Sequence, residues 1–180
     1  MLLDATQSCL LLIDVQERLA PAIDQGDSAL ARIALLVRAA MMLGVPLRAS
    51  EQAPERLGPT VAAIAALLPQ DARLPKTHFA WPRDPAFGPC RPVLSGRRPV
   101  LAGMETHVCV LQSALALLEE GHAPLVVADA CGSRRPTDKQ AGLDRLARSG
   151  VEIVTSEMVL FEWLEHADHA AFRDLIRLIK

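Results

Sequence analysis

The chain has 180 residues, of which 51% are hydrophobic and 22% are charged, ordinary proportions for a globular domain. Its formal net charge of −2 gives no electrostatic basis for binding nucleic acid or an anionic membrane surface. No stretch reaches the roughly 20 apolar residues of a membrane span, and the short apolar run at residues 9–13 lacks the basic flank of a signal peptide. We therefore expect one domain, residues 1–180, in the cytoplasm.

Short apolar runs alternate with longer amphipathic segments along the chain. Segments with helical spacing predict helices at residues 27–44, 58–69, 108–120 and 137–150, with one or two more within 156–180. The apolar runs predict six strands, at residues 8–15, 45–52, 73–80, 99–104, 123–132 and 151–156. This alternation predicts a three-layer α/β/α Rossmann-like fold with a mostly parallel six-stranded sheet. The proline-rich loop at residues 81–90 is expected to run irregularly over the surface.

The four cysteines are far apart and form no C-x-x-C pair, and no histidines lie beside them at metal-ligand spacing, so we expect free thiols. Cys9 and Cys131 lie in or beside apolar strands, where a free cysteine behaves as a small core hydrophobe. Cys90, in the proline-rich loop, is expected to be exposed. Cys109 differs from these three because it lies in the first turn of a predicted helix.

Polar side chains follow several predicted strands at the edge where open parallel sheets bind their ligands. The first strand ends at Asp14 and the third at Lys76, and Cys109 comes soon after the fourth. Taken singly, Asp14 is more simply interpreted as a structural cap of the helix that follows, from residue 17 onward, and Lys76 as a snorkelling lysine at the sheet edge. Each supplies the charge that the other lacks, so we expect all three side chains to meet in one crevice.

The position of Cys109 favours a reactive thiol, although a small core side chain remains the alternative. Unpaired N–H groups and the helix dipole favour a thiolate at a helix start, and a nearby Lys76 would lower the thiol pKa further below its usual value of roughly 8.5. Asp14 would accept the proton. The same N–H groups would hold an oxyanion formed during attack on a carbonyl.

The order Asp, Lys, Cys, together with its surrounding motifs, resembles the isochorismatase-like cysteine hydrolases over nearly the whole chain. The third matching stretch is quite specific, since a glycine is followed after three residues by His-Val-Cys-Val at the opening of a helix. The matching stretches are LLIDVQ (11–16), PKTHFA (75–80), GMETHVCVLQSALALLEEG (103–121) and VVADACGSR (126–134).

The resemblance implies a role for each matching residue. Cys109 would be the nucleophile, Asp14 the base that takes its proton, and Lys76 the cation that stabilises the thiolate and the charged intermediate. It also implies a non-proline cis peptide bond between Met104 and Glu105, which would direct the N–H groups of Glu105 and Cys109 to one oxyanion.

The resemblance also bears on cofactors. Family amidases that hydrolyse nicotinamide carry a metal held by Asp and His ligands after the second strand, whereas residues 50–60 here contain no histidine. The sequence of this stretch is similar to that found in the metal-free branch of the family, whose members often have no established substrate. We therefore expect no metal and no cofactor.

Further side chains near these positions are candidates for a substrate pocket: Gln16, Glu51, Phe79, Trp81 and His107. Phe79 or Trp81 would stack on a flat substrate, unless both only close the small core under the loop. His107 would orient a substrate or polarise a leaving group, unless it is a helix-start residue that faces a neighbouring element.

The leading hypothesis is a hydrolase that cleaves the C–N bond of a small amide through a Cys109 thioester. One alternative is hydrolysis of an isochorismate-like vinyl ether, which the family's namesake performs without relying on the cysteine. Another is a catalytically idle oligomeric or interaction protein that keeps the fold. The apolar residues of the tail, 156–179, suggest a homo-oligomeric interface, unless this face simply covers the sheet.

Overall fold

The computed structural model describes residues 2–179, which form a six-stranded, all-parallel sheet flanked by helices. Its strand order is β3-β2-β1-β4-β5-β6, and each neighbouring pair is parallel. The predicted α/β class and six strands are confirmed. The strands are β1 (Ser8–Ile13), β2 (Leu47–Gln52), β3 (Arg73–Lys76), β4 (Arg98–Met104), β5 (Leu125–Gly132) and β6 (Glu152–Val154).

The helices follow the predicted order, with changes at their ends. A π-helical turn, Thr106–Val110, replaces the predicted start of the helix that carries Cys109, and the predicted helix at 58–69 is reduced to a single turn. The helices are α1 (Gly26–Leu43), α2 (Pro54–Leu57), α3 (Ala62–Ala65), α4 (Arg91–Leu94), α5 (Leu111–Glu119), α6 (Pro136–Arg148), α7 (Ser156–Leu164) and α8 (Phe172–Arg177). Within residues 2–179, none of them is long and apolar enough to cross a membrane.

Alternation along β1 divides the core into two layers. Leu10 and Leu12 pack with buried residues of α1 and α7 on one face, while Leu11 and Ile13 pack with buried residues of α5 and α6 on the other. Since successive strand side chains point to opposite faces, a strand covered on both faces is a continuous apolar run. This packing is the reason that β1 is recognisable in the sequence.

The proline-rich segment after β3 does not run irregularly over the surface, as was expected. It forms two 3₁₀ turns, Trp81–Arg83 and Pro85–Cys90, because proline at the first positions of a turn already has the required φ. Trp81 and Phe87 are buried and meet edge to face, with ring centroids 5.3 Å apart. Cys90 is buried as well, so the expectation of an exposed thiol was wrong.

The strand order reverses between β1 and β4, which places the topological switch point of the sheet at their carboxyl ends. Gly103, near the end of β4, has φ +132°, and a Cβ built there would lie 2.1 Å from the carbonyl oxygen of Ile13. Only glycine therefore allows β4 to approach β1 this closely at the point where both strands end.

The backbone that follows β3 is held by the carboxylate of Asp84, whose side chain is 6% exposed. Asp84 accepts the N–H groups of Thr77 at 2.7 Å, His78 at 2.9 Å and Ala86 at 2.9 Å. Burial by itself raises the pKa of Asp84, but these backbone hydrogen bonds outweigh it and hold the pKa well below its usual value of 3.8. The ionised carboxylate thus fixes the segment that follows the last residue of β3.

Replacing Gly103 with alanine is expected to lower the free energy of unfolding by about 3 kcal/mol or more, because the new methyl group collides with backbone that cannot move away. The matched control is Gly96→Ala, since Gly96 also has positive φ (+70°) but has no atom within 4 Å of the place that the new methyl group would take. It should cost about 1 kcal/mol. Urea unfolding measures both, and equal losses would contradict the close approach of β4 to β1.

Replacing Asp84 with asparagine is expected to cost about 2–3 kcal/mol at pH 7, because several backbone N–H groups lose a charged acceptor. The folded-state pKa of Asp84 is depressed, so its stabilisation is fully present above the ordinary carboxyl range and is lost as pH falls below 3.8. The difference between wild type and variant should therefore shrink below about pH 4. Unfolding curves from neutral to acid pH test this, with exposed Asp168→Asn as control, and a pH-independent difference would refute it.

Candidate active site

A buried ion pair lies at the carboxyl ends of β1 and β3. Lys76 Nζ is 2.7 Å from Asp14 Oδ2, and both side chains are 0% exposed. Burying either charge alone would be very costly, whereas a hydrogen-bonded pair offsets most of that cost. The structure thus brings together two of the three side chains that were predicted to meet.

All three ammonium hydrogens of Lys76 have acceptors. Besides Asp14, Nζ donates to Gln52 Oε1 at 2.6 Å and to the carbonyl oxygen of His78 at 3.2 Å. An ammonium group has three donors and no acceptor. Lys76 is therefore held as a fixed positive charge, and not as a snorkelling lysine at the sheet edge.

The second oxygen of the Asp14 carboxylate is also occupied. Ser50 Oγ, on β2 and buried, donates to Asp14 Oδ1 at 2.6 Å. The backbone of Asp14 has φ +52°, which ends β1 and turns the chain away from the sheet. The alternative of a helix cap is wrong, because the next helical residues are the 3₁₀ turn Ala20–Ala22 and, in the described part of the chain, no backbone N–H donates to this carboxylate.

Ser50 and Gln52 contribute to this site, although Glu51, which lies between them, was the residue expected there. Alternate residues of a strand share a face, so Ser50 and Gln52 lie on the same side of β2 and Glu51 on the other. Glu51 Oε1 instead accepts the N–H group of Thr60 at 2.8 Å and its hydroxyl at 2.7 Å. Glu51 thus lies on the face of β2 opposite the ion pair, and the period of the strand is the signal that points to Ser50 and Gln52 as its partners.

Cys109 lies in the π-helical turn and is 6% exposed. Burial raises the pKa of its thiol, the negative charge of Asp14 raises it further, and the positive charge of Lys76 lowers it by less. The charges of Asp14 and Lys76 both act on this thiol, so the sulfur lies near the ion pair. The predicted lowering of the pKa was wrong, because that prediction left out the burial of the thiol and the effect of the negative charge of Asp14 on its pKa.

The turn that leads to Cys109 is fixed at its start. The peptide bond between Met104 and Glu105 is cis, as the resemblance led us to expect. Glu105 Oε1 accepts the backbone N–H of Arg134 at 3.1 Å and its Nε at 2.9 Å, which ties the turn to the residues after β5. The hydroxyl of Thr106 is buried without a partner among residues 2–179, a feature that no sequence motif indicated.

Gln16 and Trp81, two of the predicted pocket residues, are both fully buried. Gln16 is fully buried and bonds backbone, with Nε2 donating to the carbonyl oxygen of Gly58 at 2.6 Å and Oε1 accepting the N–H of Gln52 at 2.8 Å. The side chain of Trp81 is also fully buried and meets the ring of Phe87 edge to face. Both were expected in the pocket; instead, Gln16 fastens a loop to β2 and Trp81 closes the core beneath the segment after β3.

His107 and Phe79, unlike Gln16 and Trp81, are not fully buried. His107 Nδ1 is 3.0 Å from Ser133 Oγ, and its Nε2 is 4.0 Å from an Asp138 oxygen on α6, so it faces a neighbouring element, as the alternative held. Phe79 is 53% exposed and remains available to a ligand.

Among residues 2–179, no group of three or more His, Cys, Asp or Glu side chains is placed to hold a metal ion.

Comparison with known proteins agrees with this architecture. The profile of the isochorismatase domain matches residues 8–158. The chain is 36% identical over 178 residues to isochorismatase domain-containing protein 1 of Danio rerio, an alignment that covers 99% of this chain and 62% of that protein. The chain thus spans about three fifths of the length of this relative.

Two solved structures have closely similar folds. One, described as the MAR1 ribonuclease from Caenorhabditis elegans, has a TM-score of 0.92 and 31% identity, covering 99% of this chain and 92% of that one. The other, the YcaC gene product of Escherichia coli, is described as an octameric hydrolase of unknown specificity; it has a TM-score of 0.92 and 23% identity, covering 99% and 90%. By its profile match, its curated relative and its fold, this chain belongs to the isochorismatase domain family.

Proposed function

We propose that this protein is a cysteine hydrolase that cleaves the C–N bond of a small amide through a thioester at Cys109. The observation that carries the proposal is the buried Asp14–Lys76 pair, joined at 2.7 Å, beside the Cys109 sulfur. A thiol, a carboxylate and an ammonium group held together away from water are the parts of an activated nucleophile with its base and its charge stabiliser.

The raised pKa of Cys109 determines how the first step begins. The sulfur rests as a protonated thiol, and Asp14 takes its proton as the S–C bond to the substrate carbonyl carbon forms. The carbonyl electrons move to oxygen, and the N–H groups of Glu105 and Cys109 stabilise the resulting oxyanion. When the C–N bond breaks, Asp14 returns the proton to the departing amine.

The second half of the reaction repeats these roles with water. Asp14 takes a proton from water as it attacks the thioester carbonyl, and the C–S bond then breaks to release the acid. The proton on Asp14 returns to the Cys109 sulfur. This sequence needs no metal or other cofactor, and Lys76 contributes through its charge, because its three N–H groups already have acceptors.

We also propose a homo-oligomer in the cytoplasm. The octameric description of the E. coli relative supports association, as do the exposed side chains of Met42 on α1 and Phe161 on α7, which are 45% and 47% exposed. The four cysteines are free thiols within the described chain, as is usual for proteins of a reducing compartment.

Replacing Cys109 with alanine is expected to lower the turnover of any amide substrate at least about a thousandfold, because the bond-forming atom is removed. A panel of small amides, together with isochorismate and RNA, measures this, with Cys90→Ala as the control for loss of a buried thiol. Equal amide turnover in wild type and Cys109→Ala would refute the covalent mechanism.

Isochorismate hydrolysis that persists in Cys109→Ala would favour the vinyl ether alternative. Cleavage of RNA alone would favour the activity for which the C. elegans relative is named.

Replacing Asp14 with asparagine is expected to change thiol reactivity and turnover in opposite directions. Removing the carboxylate lowers the pKa of Cys109, so iodoacetamide should alkylate it faster at mildly alkaline pH, while amide turnover falls about 10²–10⁴-fold because the base is lost. Ser50→Ala, which keeps the Asp14 charge, is the control and should alkylate at nearly the wild-type rate. Circular dichroism establishes that each variant is folded, and a parallel fall of alkylation and turnover in Asp14→Asn would count against Asp14 as the base.

A further inference from the structure

We propose that a recess beside the active site selects uncharged amides whose acyl group is apolar. This inference rests on the proposed hydrolase function and names its substrate class. The recess has a volume of about 330 Å³ and is lined by Thr77, His78, Phe79, Ala80, Arg83 and Gln112.

The recess adjoins the proposed catalytic groups on two sides. Its first wall is the backbone directly after Lys76, and Lys76 Nζ donates to the carbonyl oxygen of His78 at 3.2 Å. Its second wall includes Gln112, which lies on α5 three residues after Cys109 in the chain. The recess therefore lies next to the two chain segments that carry Lys76 and Cys109.

The aromatic ring of Phe79 is exposed while its backbone is fastened. Ser113 Oγ, on α5, donates to the carbonyl oxygen of Phe79 at 3.4 Å and accepts the N–H of Trp81 at 3.0 Å. Trp81 is fully buried, whereas Phe79 is 53% exposed. A ligand that covers this ring removes apolar surface from water, which favours binding, and little backbone freedom is lost because the segment is already fixed.

The polar groups of the recess favour an uncharged ligand. The guanidinium of Arg83 is paired with Glu119, with 2.6 Å between nitrogen and oxygen, and Lys76 has no donor left over. The side-chain amide of Gln112 has no hydrogen-bond partner among residues 2–179 and offers both a donor and an acceptor. A ring and a free amide suit an apolar group joined to a carboxamide better than they suit a carboxylate or a phosphate.

The test measures binding to the Cys109→Ala protein, in which covalent chemistry is absent. Ligand-observed NMR titrations with phenylacetamide, acetamide and phenylacetate compare an apolar amide with a smaller amide and with an anion of the same shape. Phenylacetamide should bind at least tenfold more tightly than the other two. Adding Phe79→Ala should remove this preference, whereas adding Leu2→Ala, which changes an exposed apolar side chain outside the recess, should keep it.

Equal binding of the three probes, or a preference that survives Phe79→Ala, would overturn the subsite. The hydrolase proposal is tested separately, by measuring amide turnover of the wild-type protein. If the binding preference for phenylacetamide is found but the wild-type protein turns over no amide, the hydrolase proposal is refuted and the subsite stands. If amides are turned over but no binding preference is found, the subsite is refuted and the hydrolase proposal stands.

Discussion

The buried contact between Asp14 and Lys76 is the interaction on which the rest of the site depends. Neither charge is tolerable in the interior alone, so the surrounding strands must supply every remaining partner. β2 does so with Ser50 on the carboxylate and Gln52 on the ammonium, and the backbone after β3 adds the carbonyl oxygen of His78. The carboxyl ends of β1, β2 and β3 are thereby linked around one pair of opposite charges.

This arrangement keeps the total charge of the site constant during the proposed reaction. At rest, the site holds a carboxylate, an ammonium group and a neutral thiol. After the proton moves from Cys109 to Asp14, it holds a neutral acid, the same ammonium group and a thiolate or its adduct. Because the sum stays at zero, the interior never carries a net charge, and the raised pKa of Cys109 in the resting protein is compatible with its role as the nucleophile.

The strands of the sheet, and the edge at which the catalytic candidates meet, could be predicted from the sequence, because they depend on the spacing of apolar residues and on the parallel direction of the strands. A strand such as β1 is an unbroken apolar run because both its faces are covered, and Asp14 and Lys76 meet because parallel strands end at one edge of the sheet. Burial could not be predicted in the same way. Prolines marked the segment of Trp81 and Cys90 as a surface loop, whereas tertiary packing buries both side chains, and the same packing reverses the pKa shift that was expected for Cys109.

The ionisation state of Cys109 in the free protein tests the central claim most directly. The carbon-13 shift of its β-carbon, in protein labelled at cysteine and assigned with Cys109→Ala, reports thiol or thiolate as pH is raised. The account predicts a thiol at neutral pH that persists above the range of an unperturbed cysteine, because burial and the charge of Asp14 both raise its pKa. A thiolate already present at neutral pH would contradict it.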